Sequence, residues 1–261
     1  METNQSGEES LLSCMSFNLW GGKDWEARSE AVLWVIRRFL PDTIGIQEGK
    51  IQWLKLFERE LSDIYGCAGV GNREAGYTET FDHIYYKKDR FELFGEDTIW
   101  LSDNIHEEGS KFAESKRVRI AVFAWLRDRR SGRELLCANT HLDNLGETPR
   151  NMQLKVLLDY IGKVPLPCVL TGDFNSRMTT DVYRTVTGVM NDSRTDAARL
   201  EVGPTYNGAG EHPPTTLDYC FFTKGRFELE SYRAQTDLYQ DAVYPSDHNP
   251  VYTEYRLKPE L

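Results

Sequence analysis

The stretch Leu170-Thr171-Gly172-Asp173-Phe174-Asn175-Ser176 presents a carboxylate and a carboxamide two residues apart, directly after an apolar run. That run, residues 164–170, contains two prolines and is typical of a buried strand, and Gly172 lets the backbone turn at its end. Two oxygen-bearing side chains just past the carboxyl end of a strand can converge on one hard cation or one phosphate. Asp and Asn also favour ordinary Asx turns, so the stretch alone leaves both interpretations open.

Four further polar stretches share this placement, because each lies at the end of a predicted strand. They are Ser16-Phe17-Asn18, Gln47-Glu48, Asn139-Thr140-His141-Leu142-Asp143 and Ser246-Asp247-His248-Asn249-Pro250. Local turn chemistry explains one such stretch, but several in one chain predict side chains that meet at a common edge. We therefore expect one site built from several strand ends.

The hydrophobic pattern predicts a β-α-β-α order at the start of the chain and mainly strands in the middle. Predicted helices cover residues 24–40, 51–61, 149–161 and 181–189. Predicted strands cover residues 11–19, 43–46, 82–86, 91–101, 118–126, 134–142, 164–170, 217–222, 227–233 and 249–255, and residues 198–216 form a long Gly- and Pro-containing loop. The simplest architecture is a mixed sheet system with helices outside, in one domain of residues 11–261 that follows a flexible tail of residues 1–10.

The charge balance limits the class of ligand. Acidic residues number 41 against 31 basic ones, which gives a net charge of −10. Such a field repels polyanions at long range and argues against tight, sequence-independent binding of long nucleic acid. A phosphate ester held at a metal centre is compatible with it, because the cation supplies local positive charge.

The start of the chain and the cysteines bear on the compartment. The chain begins with a polar, acidic stretch that lacks the basic and apolar regions of a secretory signal. Five widely spaced cysteines with no CxxC indicate reduced thiols rather than disulfides or a zinc site. No run of about 18 apolar residues predicts a membrane span. We expect a cytoplasmic protein, and a monomer.

The strand-end side chains are oxygen and imidazole donors without thiolates. They comprise Asn18, Glu48, His141, Asp143, Asp173, Asn175, Asp218, Asp247 and His248. Carboxylates and carboxamides suit Mg²⁺ or Mn²⁺, and histidines beside carboxylates suit proton transfer and stabilisation of a developing oxyanion. The chain has no GxSxG elbow, P-loop or GxGxxG, which argues against serine hydrolases, NTPases and dinucleotide-binding enzymes.

In chain order, six motifs resemble the endonuclease/exonuclease/phosphatase superfamily, which includes DNase I, neutral sphingomyelinases and poly(A) deadenylases. The motifs are Ser16-Phe17-Asn18, Ile46-Gln47-Glu48, Asn139-Thr140-His141-Leu142, Gly172-Asp173-Phe174-Asn175, Leu217-Asp218-Tyr219 and Ser246-Asp247-His248-Asn249-Pro250. The resemblance covers residues 12–256. It implies a DNase I-like α/β fold, a four-layer sandwich of two mixed β-sheets flanked by helices.

The resemblance also implies a metal centre and its surroundings. Asn18 and Glu48 are expected to bind a catalytic Mg²⁺ or Mn²⁺, and Asp247 to help hold or orient it. Glu79 is expected to orient His141, the second catalytic histidine. Arg150, at the start of a predicted helix, is expected either to contact substrate phosphate or to be an ordinary surface arginine.

The same resemblance assigns the catalytic roles. Asp173 and Asn175 are expected to position or activate the attacking water and to contact phosphoryl oxygens. His248, paired with Asp218, is expected to be the general base or to stabilise the phosphoryl transition state. His141 is the second histidine, expected to contact a non-bridging oxygen or the leaving group.

Together these features predict a Mg²⁺-dependent phosphohydrolase that cleaves a phosphodiester bond in a nucleotide, a short nucleic acid or another small phosphodiester. A phosphomonoesterase of sugar, inositol or nucleotide phosphates is an alternative of the same class. A catalytically silent binding protein on the same fold is an alternative of another class, although the intact set of catalytic-type residues argues against it.

Overall fold

The computed structural model describes residues 11–72 and 79–259, so the predicted tail at residues 1–10 lies outside the described residues. The helices in these ranges are α1 (Trp25–Phe39), α2 (Ile51–Leu61), α3 (Glu147–Ile161), α4 (Asp181–Val189) and α5 (Ser193–Asp196). The strands are β1 (Leu12–Asn18), β2 (Thr43–Gln47), β3 (Tyr65–Ala68), β4 (Gly71–Asn72), β5 (Thr80–Phe81), β6 (Ile84–Lys87), β7 (Phe91–Trp100), β8 (Ile120–Asp128), β9 (Glu134–His141), β10 (Cys168–Asp173), β11 (Met190–Asp192), β12 (Arg199–Glu201), β13 (Asp218–Thr223), β14 (Phe227–Ala234) and β15 (Val251–Leu257). Among the described helices, none is both long and apolar enough to cross a bilayer.

Two mixed sheets carry most of the strands. The first has the order β12-β14-β15-β1-β2-β6-β3 and the second β11-β13-β10-β9-β8-β7. In the first sheet β1 runs parallel to β2, and in the second β9 runs parallel to β10, whereas β15 and β13 pair antiparallel with β1 and β10. Helix α1 lies in the crossover from β1 to β2, and α3 lies in the crossover from β9 to β10. Each parallel pair leaves two carboxyl ends at one edge of its sheet, where ligands commonly bind.

The sheets pack face to face on an apolar core. Side chains from both sheets fill this core, including Cys14 and Tyr255 from the first and Val122 and Val169 from the second. Helices α1 and α2 pack on the outer face of the first sheet, and α3 and α4 on the outer face of the second. The predicted four-layer α/β sandwich is confirmed.

Element bounds agree with the predictions where periodicity is strong and differ where turn chemistry decides. Helices α2 and α4 have the predicted bounds. The prediction of a strand at residues 164–170 is wrong in its bounds, because β10 starts at Cys168 and continues to Asp173. Pro165 and Pro167 precede it because they have no N–H to donate to a neighbouring strand. The predicted loop at 198–216 also contains the short strand β12, which pairs with β14.

A buried polar network joins the two sheets beneath their strand ends. Asn139 of β9 donates from Nδ2 to the carbonyl oxygen of Ile46 in the other sheet at 2.7 Å, and its Oδ1 accepts from Gln47 Nε2 at 2.7 Å. The same Oδ1 accepts from the hydroxyl of Thr171 at 3.0 Å. Because Asn139 and Gln47 are buried, water cannot replace these bonds, and the network holds the sheets in one relative position.

Gly45 makes room for this network, so alanine at that position is expected to destabilise the protein. A Cβ on Gly45 would lie 2.1 Å from Thr171 Oγ1 and 2.5 Å from Asn139 Oδ1. Neither side chain can move away without losing buried hydrogen bonds, so we expect Gly45→Ala to lower the free energy of unfolding by about 1–3 kcal/mol. Equilibrium urea denaturation measures the change.

Gly188→Ala is the matched control. Gly188 lies near the end of α4, and a Cβ there would meet nothing within 4 Å. A helical Gly→Ala change is expected to stabilise by up to about 0.5–1 kcal/mol. Equal stability of Gly45→Ala and the wild type would contradict the close approach of the two sheets at Gly45.

Candidate active site

Strand register brings the catalytic-type side chains to one edge. Asp173, the last residue of β10, lies opposite His141 of the parallel strand β9 and opposite Asp218 of the antiparallel strand β13. In the other sheet, Asn18 is the last residue of β1, and Glu48 comes directly after the parallel strand β2. Packing of the two sheets then places both groups of strand ends together.

Asp173 is the centre of the hydrogen-bond network at this edge, and its side chain is only 2% exposed. Its Oδ2 accepts from Asn18 Nδ2 at 3.0 Å and lies 3.3 Å from His141 Nε2 and 3.8 Å from His248 Nε2. Its Oδ1 accepts from the backbone N–H of Asn175 at 2.8 Å. That bond is an Asx turn, so the two interpretations of the opening stretch are one structure: the turn aims Asp173 and Asn175 into the site.

His248 and Asp218 form a buried pair, with 2.8 Å between His248 Nδ1 and Asp218 Oδ2. Burial by itself would lower the pKa of His248, but the charges of Asp218, Asp173 and Asp247 outweigh it and raise the pKa to about 10. Without a bound cation, His248 is therefore an imidazolium at neutral pH. A cation beside these carboxylates would lower that pKa.

The pKa of His141 is shifted in the opposite direction. Burial lowers the pKa of His141 well below its ordinary value, and the positive charges of Arg119 and His248 act in the same direction. Its Nε2 lies 3.0 Å from Asn175 Nδ2, which also donates to the carbonyl oxygen of Leu142 at 3.0 Å. Environments that push the pKa values of neighbouring groups apart are a property of acid–base sites.

Glu48 and Asp247 add further negative charge at the edge. Glu48 Oε1 lies 4.0 Å from His141 Nε2, and the Glu48 side chain is 37% exposed. Burial raises the pKa of Asp247 to about 6; the carboxylates of Glu48 and Asp173 add to the increase, while His248 opposes it. Burial likewise raises the pKa of Asp173 to about 6, with a further contribution from Asp218.

The charge and donor types of this edge fit a hard divalent cation. Asp173, Asp218 and His248 each offer a ligand atom, and these atoms lie within 4.8 Å of one another. Oδ1 of Asp218 is buried and has no hydrogen-bond partner within the described residues. The pKa values of Asp173 and Asp247 stay raised although His248 opposes the increase at both, so the edge can accept the positive charge of a cation. Because the donors include several oxygens and no thiolate, Mg²⁺ or Mn²⁺ suits them better than a soft metal.

Arg150 lies beside the site but is not aimed at a protein carboxylate. Its Nη1 donates to the carbonyl oxygen of Asp143 at 3.1 Å, while its Nε is buried with no hydrogen-bond partner in the described part of the chain. Burial lowers the pKa of Arg150, and the charges of Glu147, Asp143 and Asp173 oppose that effect. The guanidinium is thus close enough to Asp173 to sense its charge and keeps donor capacity for a ligand.

The predicted contact between Glu79 and His141 is not found. The hydrogen bonds and ion pairs that His141 makes within the described residues go to Asn175, Asp173 and Glu48. Glu79 instead packs against Gly71, where a Cβ would lie 2.2 Å from Glu79 Oε1. Tyr77 and Thr78, which precede Glu79 in the chain, lie outside the described residues.

Two side chains at the edge are absent from the predicted set. Asp82 Oδ1 accepts from the backbone N–H of Glu48 at 3.2 Å, where the Glu48 backbone has φ 55°. The ring of Tyr206 packs edge-on against His248, with 5.0 Å between ring centroids. A carboxylate that opens an apolar strand and an aromatic residue in a Gly- and Pro-containing loop are the sequence signals that indicate them.

Two packed mixed sheets whose strand ends present paired Asp and His side chains are the architecture of DNase I-like phosphoesterases. The chain belongs to the Endonuclease/Exonuclease/phosphatase family, whose model matches residues 15–248. The predicted superfamily resemblance is therefore confirmed, and the family consists of enzymes that hydrolyse phosphate esters.

Similar proteins cover most of this chain. Nocturnin of Drosophila melanogaster is 25% identical over 90% of this chain and 42% of its own length, and the chain spans less than half of the curated relatives it matches. An endonuclease/exonuclease/phosphatase of Bacteroides vulgatus is 26% identical with a TM-score of 0.88, covering 95% of this chain and 100% of that one. A mannosyl-6-phosphatase of Bacteroides thetaiotaomicron is 26% identical with a TM-score of 0.85, covering 94% of this chain and 100% of that one.

Proposed function

We propose that this protein is a phosphohydrolase that uses Mg²⁺ or Mn²⁺ to cleave a phosphodiester bond in a nucleotide, a short nucleic acid or another small phosphodiester. The observation that carries the proposal is the continuous run Asp218–His248–Asp173–His141, with side-chain separations of 2.8, 3.8 and 3.3 Å. In this run a histidine with a raised pKa, His248, and a histidine with a lowered pKa, His141, lie on either side of one buried carboxylate. Family membership supports the same chemistry, as does the run itself, in which ligand atoms of Asp173, Asp218 and His248 lie within 4.8 Å of one another.

Three residues would hold the cation. Asn18 and Glu48 from the first sheet and Asp247 from the loop before β15 are the proposed ligands, and all three are within electrostatic or hydrogen-bond reach of Asp173 or one another. The bound ion supplies positive charge to a phosphoryl oxygen and to the leaving alkoxide.

The remaining residues of the site act on the water and on the phosphoryl oxygens. Asp173 and Asn175 orient the attacking water, since both lie at the convergence of the two sheets and are fixed by the Asx turn. His248, held by Asp218, donates to an equatorial phosphoryl oxygen. His141 contacts a second non-bridging oxygen or the leaving group.

A phosphomonoester is the second candidate substrate. It is favoured by the likeness to the mannosyl-6-phosphatase, which is 26% identical to this chain over nearly its whole length. The free donor of Arg150 suits the extra negative charge of a monoester phosphate. Arg150 is thus the residue we propose to contact the substrate phosphate in either case.

Hydrolysis of bis-p-nitrophenyl phosphate and p-nitrophenyl phosphate, with Mg²⁺, Mn²⁺ or EDTA, tests the proposal. Diester cleavage that requires the metal is the expected result. Cleavage of the monoester alone would indicate a phosphomonoesterase whose substrates are sugar, inositol or nucleotide phosphates. Failure on both, together with no metal binding, would favour the alternative of a catalytically silent binding protein.

We also propose a cytoplasmic monomer. The five cysteines are free, and four of them are buried, as expected where thiols stay reduced. Size-exclusion chromatography with light scattering tests the oligomeric state, and localisation of a tagged full-length chain tests the compartment.

A further inference from the structure

Arg28 of α1 is a buried arginine whose hydrogen bonds go to backbone carbonyls. The residue is 4% exposed. Its Nε donates to the carbonyl of Lys23 at 2.9 Å, and its Nη2 donates to the carbonyls of Lys23 at 2.6 Å and Leu19 at 3.0 Å. Its Nη1 donates to the carbonyl of Pro245 at 2.6 Å. One guanidinium therefore joins two loops that are more than 200 residues apart in the chain.

Both loops carry residues of the proposed metal centre. Leu19 directly follows Asn18, and Pro245 stands two residues before Asp247. A second bond closes the same junction, because the hydroxyl of Ser246 donates to the carbonyl of Asn18 at 2.7 Å. The guanidinium thus sets the separation between the loop that follows Asn18 and the loop that contains Asp247.

The first of these loops, residues 19–24, has a backbone that needs to be held. Trp20 and Asp24 have φ values of 56° and 45°, in the left-handed region that non-glycine residues rarely adopt. The indole rings of Trp20 and Trp53 lie 5.1 and 5.3 Å from the Arg28 guanidinium carbon, and Trp53 Nε1 donates to the carbonyl of Gly21 at 2.6 Å. Arg28 and Trp53 together hold the loop backbone in this conformation.

We propose that Arg28 is a positioning residue for the metal centre: its guanidinium fixes Asn18 and Asp247 at the separation that a divalent cation requires. The inference rests on the proposed function, because it takes Asn18 and Asp247 as cation ligands. Lysine keeps the positive charge but cannot donate to three carbonyls from one planar group. Arg28→Lys therefore removes the hydrogen-bonding geometry of the guanidinium while it keeps the positive charge.

Mn²⁺ binding, followed by electron paramagnetic resonance without substrate, tests the proposal on Arg28→Lys. Loss of a residue that orients metal ligands typically costs about 10–100-fold in metal affinity. We expect the Mn²⁺ dissociation constant and the half-saturating Mg²⁺ concentration to rise by about that factor, with kcat at saturating Mg²⁺ within a few fold of wild type. Arg37→Lys, an exposed position on the same helix, is the control and should change neither.

A folded Arg28→Lys protein with wild-type Mn²⁺ affinity would overturn the proposal, even if its melting temperature is lower. If Arg28→Lys does not unfold cooperatively, Arg28→Gln decides instead, because its shorter amide cannot donate to the carbonyls of Leu19, Lys23 and Pro245 together and leaves no buried charge. A weaker Mn²⁺ affinity supports the inference and an unchanged one overturns it. No Mn²⁺ binding by the wild type would overturn the proposed metal dependence itself, which is a different outcome.

Discussion

Replacing His248 with alanine is expected to lower kcat for phosphate-ester hydrolysis by about 10²–10⁴-fold, the usual contribution of a positioned acid–base or charge-stabilising group. The physical reason is the pairing of His248 with Asp218 and the nearby carboxylate of Asp173, which keep the imidazole protonated before a cation binds. Alanine removes the side chain that we propose to donate to the phosphoryl group. KM is expected to change less, because the interaction strengthens mainly in the transition state.

Steady-state kinetics on the better of the two nitrophenyl substrates measures this effect. His106→Ala is the matched control, since His106 is exposed in the segment between β7 and β8. Asp218→Asn separates charge from position: it retains a side chain of the same shape but removes the charge that holds His248 protonated, so kcat should fall in this variant also. Wild-type kcat in His248→Ala would exclude His248 from the reaction.

Replacing Glu48 with glutamine is expected to have the second large effect, a loss of affinity for the divalent cation. Glu48 is the principal proposed ligand, and removing an anionic oxygen from a divalent-cation site weakens binding by more than the 10–100-fold typical of an outer-shell residue. We expect the half-saturating Mg²⁺ concentration to rise by at least about 100-fold, with activity at ordinary Mg²⁺ concentrations close to that in EDTA. Glutamine is nearly isosteric, so the strained Glu48 backbone and its bond to Asp82 can persist.

Activity against Mg²⁺ concentration, together with Mn²⁺ binding, distinguishes a lost ligand from a damaged fold. Glu58→Gln is a suitable control, because Glu58 is an exposed carboxylate on α2. Restoration of activity at high Mg²⁺ in Glu48→Gln would support a ligand role. An unchanged Mg²⁺ requirement would show that Glu48 does not bind the cation.

The hydrophobic pattern predicted mixed sheets with helices outside, and the family resemblance implied the four-layer sandwich that the structure has. Strong periodicity predicted α2 and α4 to the residue, and polar residues after apolar runs indicated the strand ends that meet. Asp173 and Asn175 could be placed at a strand end because a glycine and a change from apolar to polar residues mark such an end. The oxygen donors and the absence of thiol motifs indicated a hard cation, and the family resemblance implied phosphate esters as substrates.

Other features depended on neighbours that are distant in the chain. The start of β10 at Cys168 follows from pairing with β9, which the local apolar run does not reveal. Support of His141 by Glu79 was implied by the family resemblance, but the partners of His141 among the described residues are Asn175, Asp173 and Glu48. Arg28 is an ordinary helical arginine by sequence, and its role arises only because the loops that contain Leu19 and Pro245 fold onto it.

The sequence by itself determined which side chains stand at strand ends, because alternation, helical periodicity and turn residues are local properties of the chain. The tertiary structure alone decided how the pKa values of these side chains are shifted. His248 and His141 are the same residue type, yet carboxylates raise the pKa of the first and burial lowers that of the second. A pKa depends on distances and desolvation across two packed sheets, and those distances exist only once Asn139, Gln47 and Thr171 have fixed the sheets against each other.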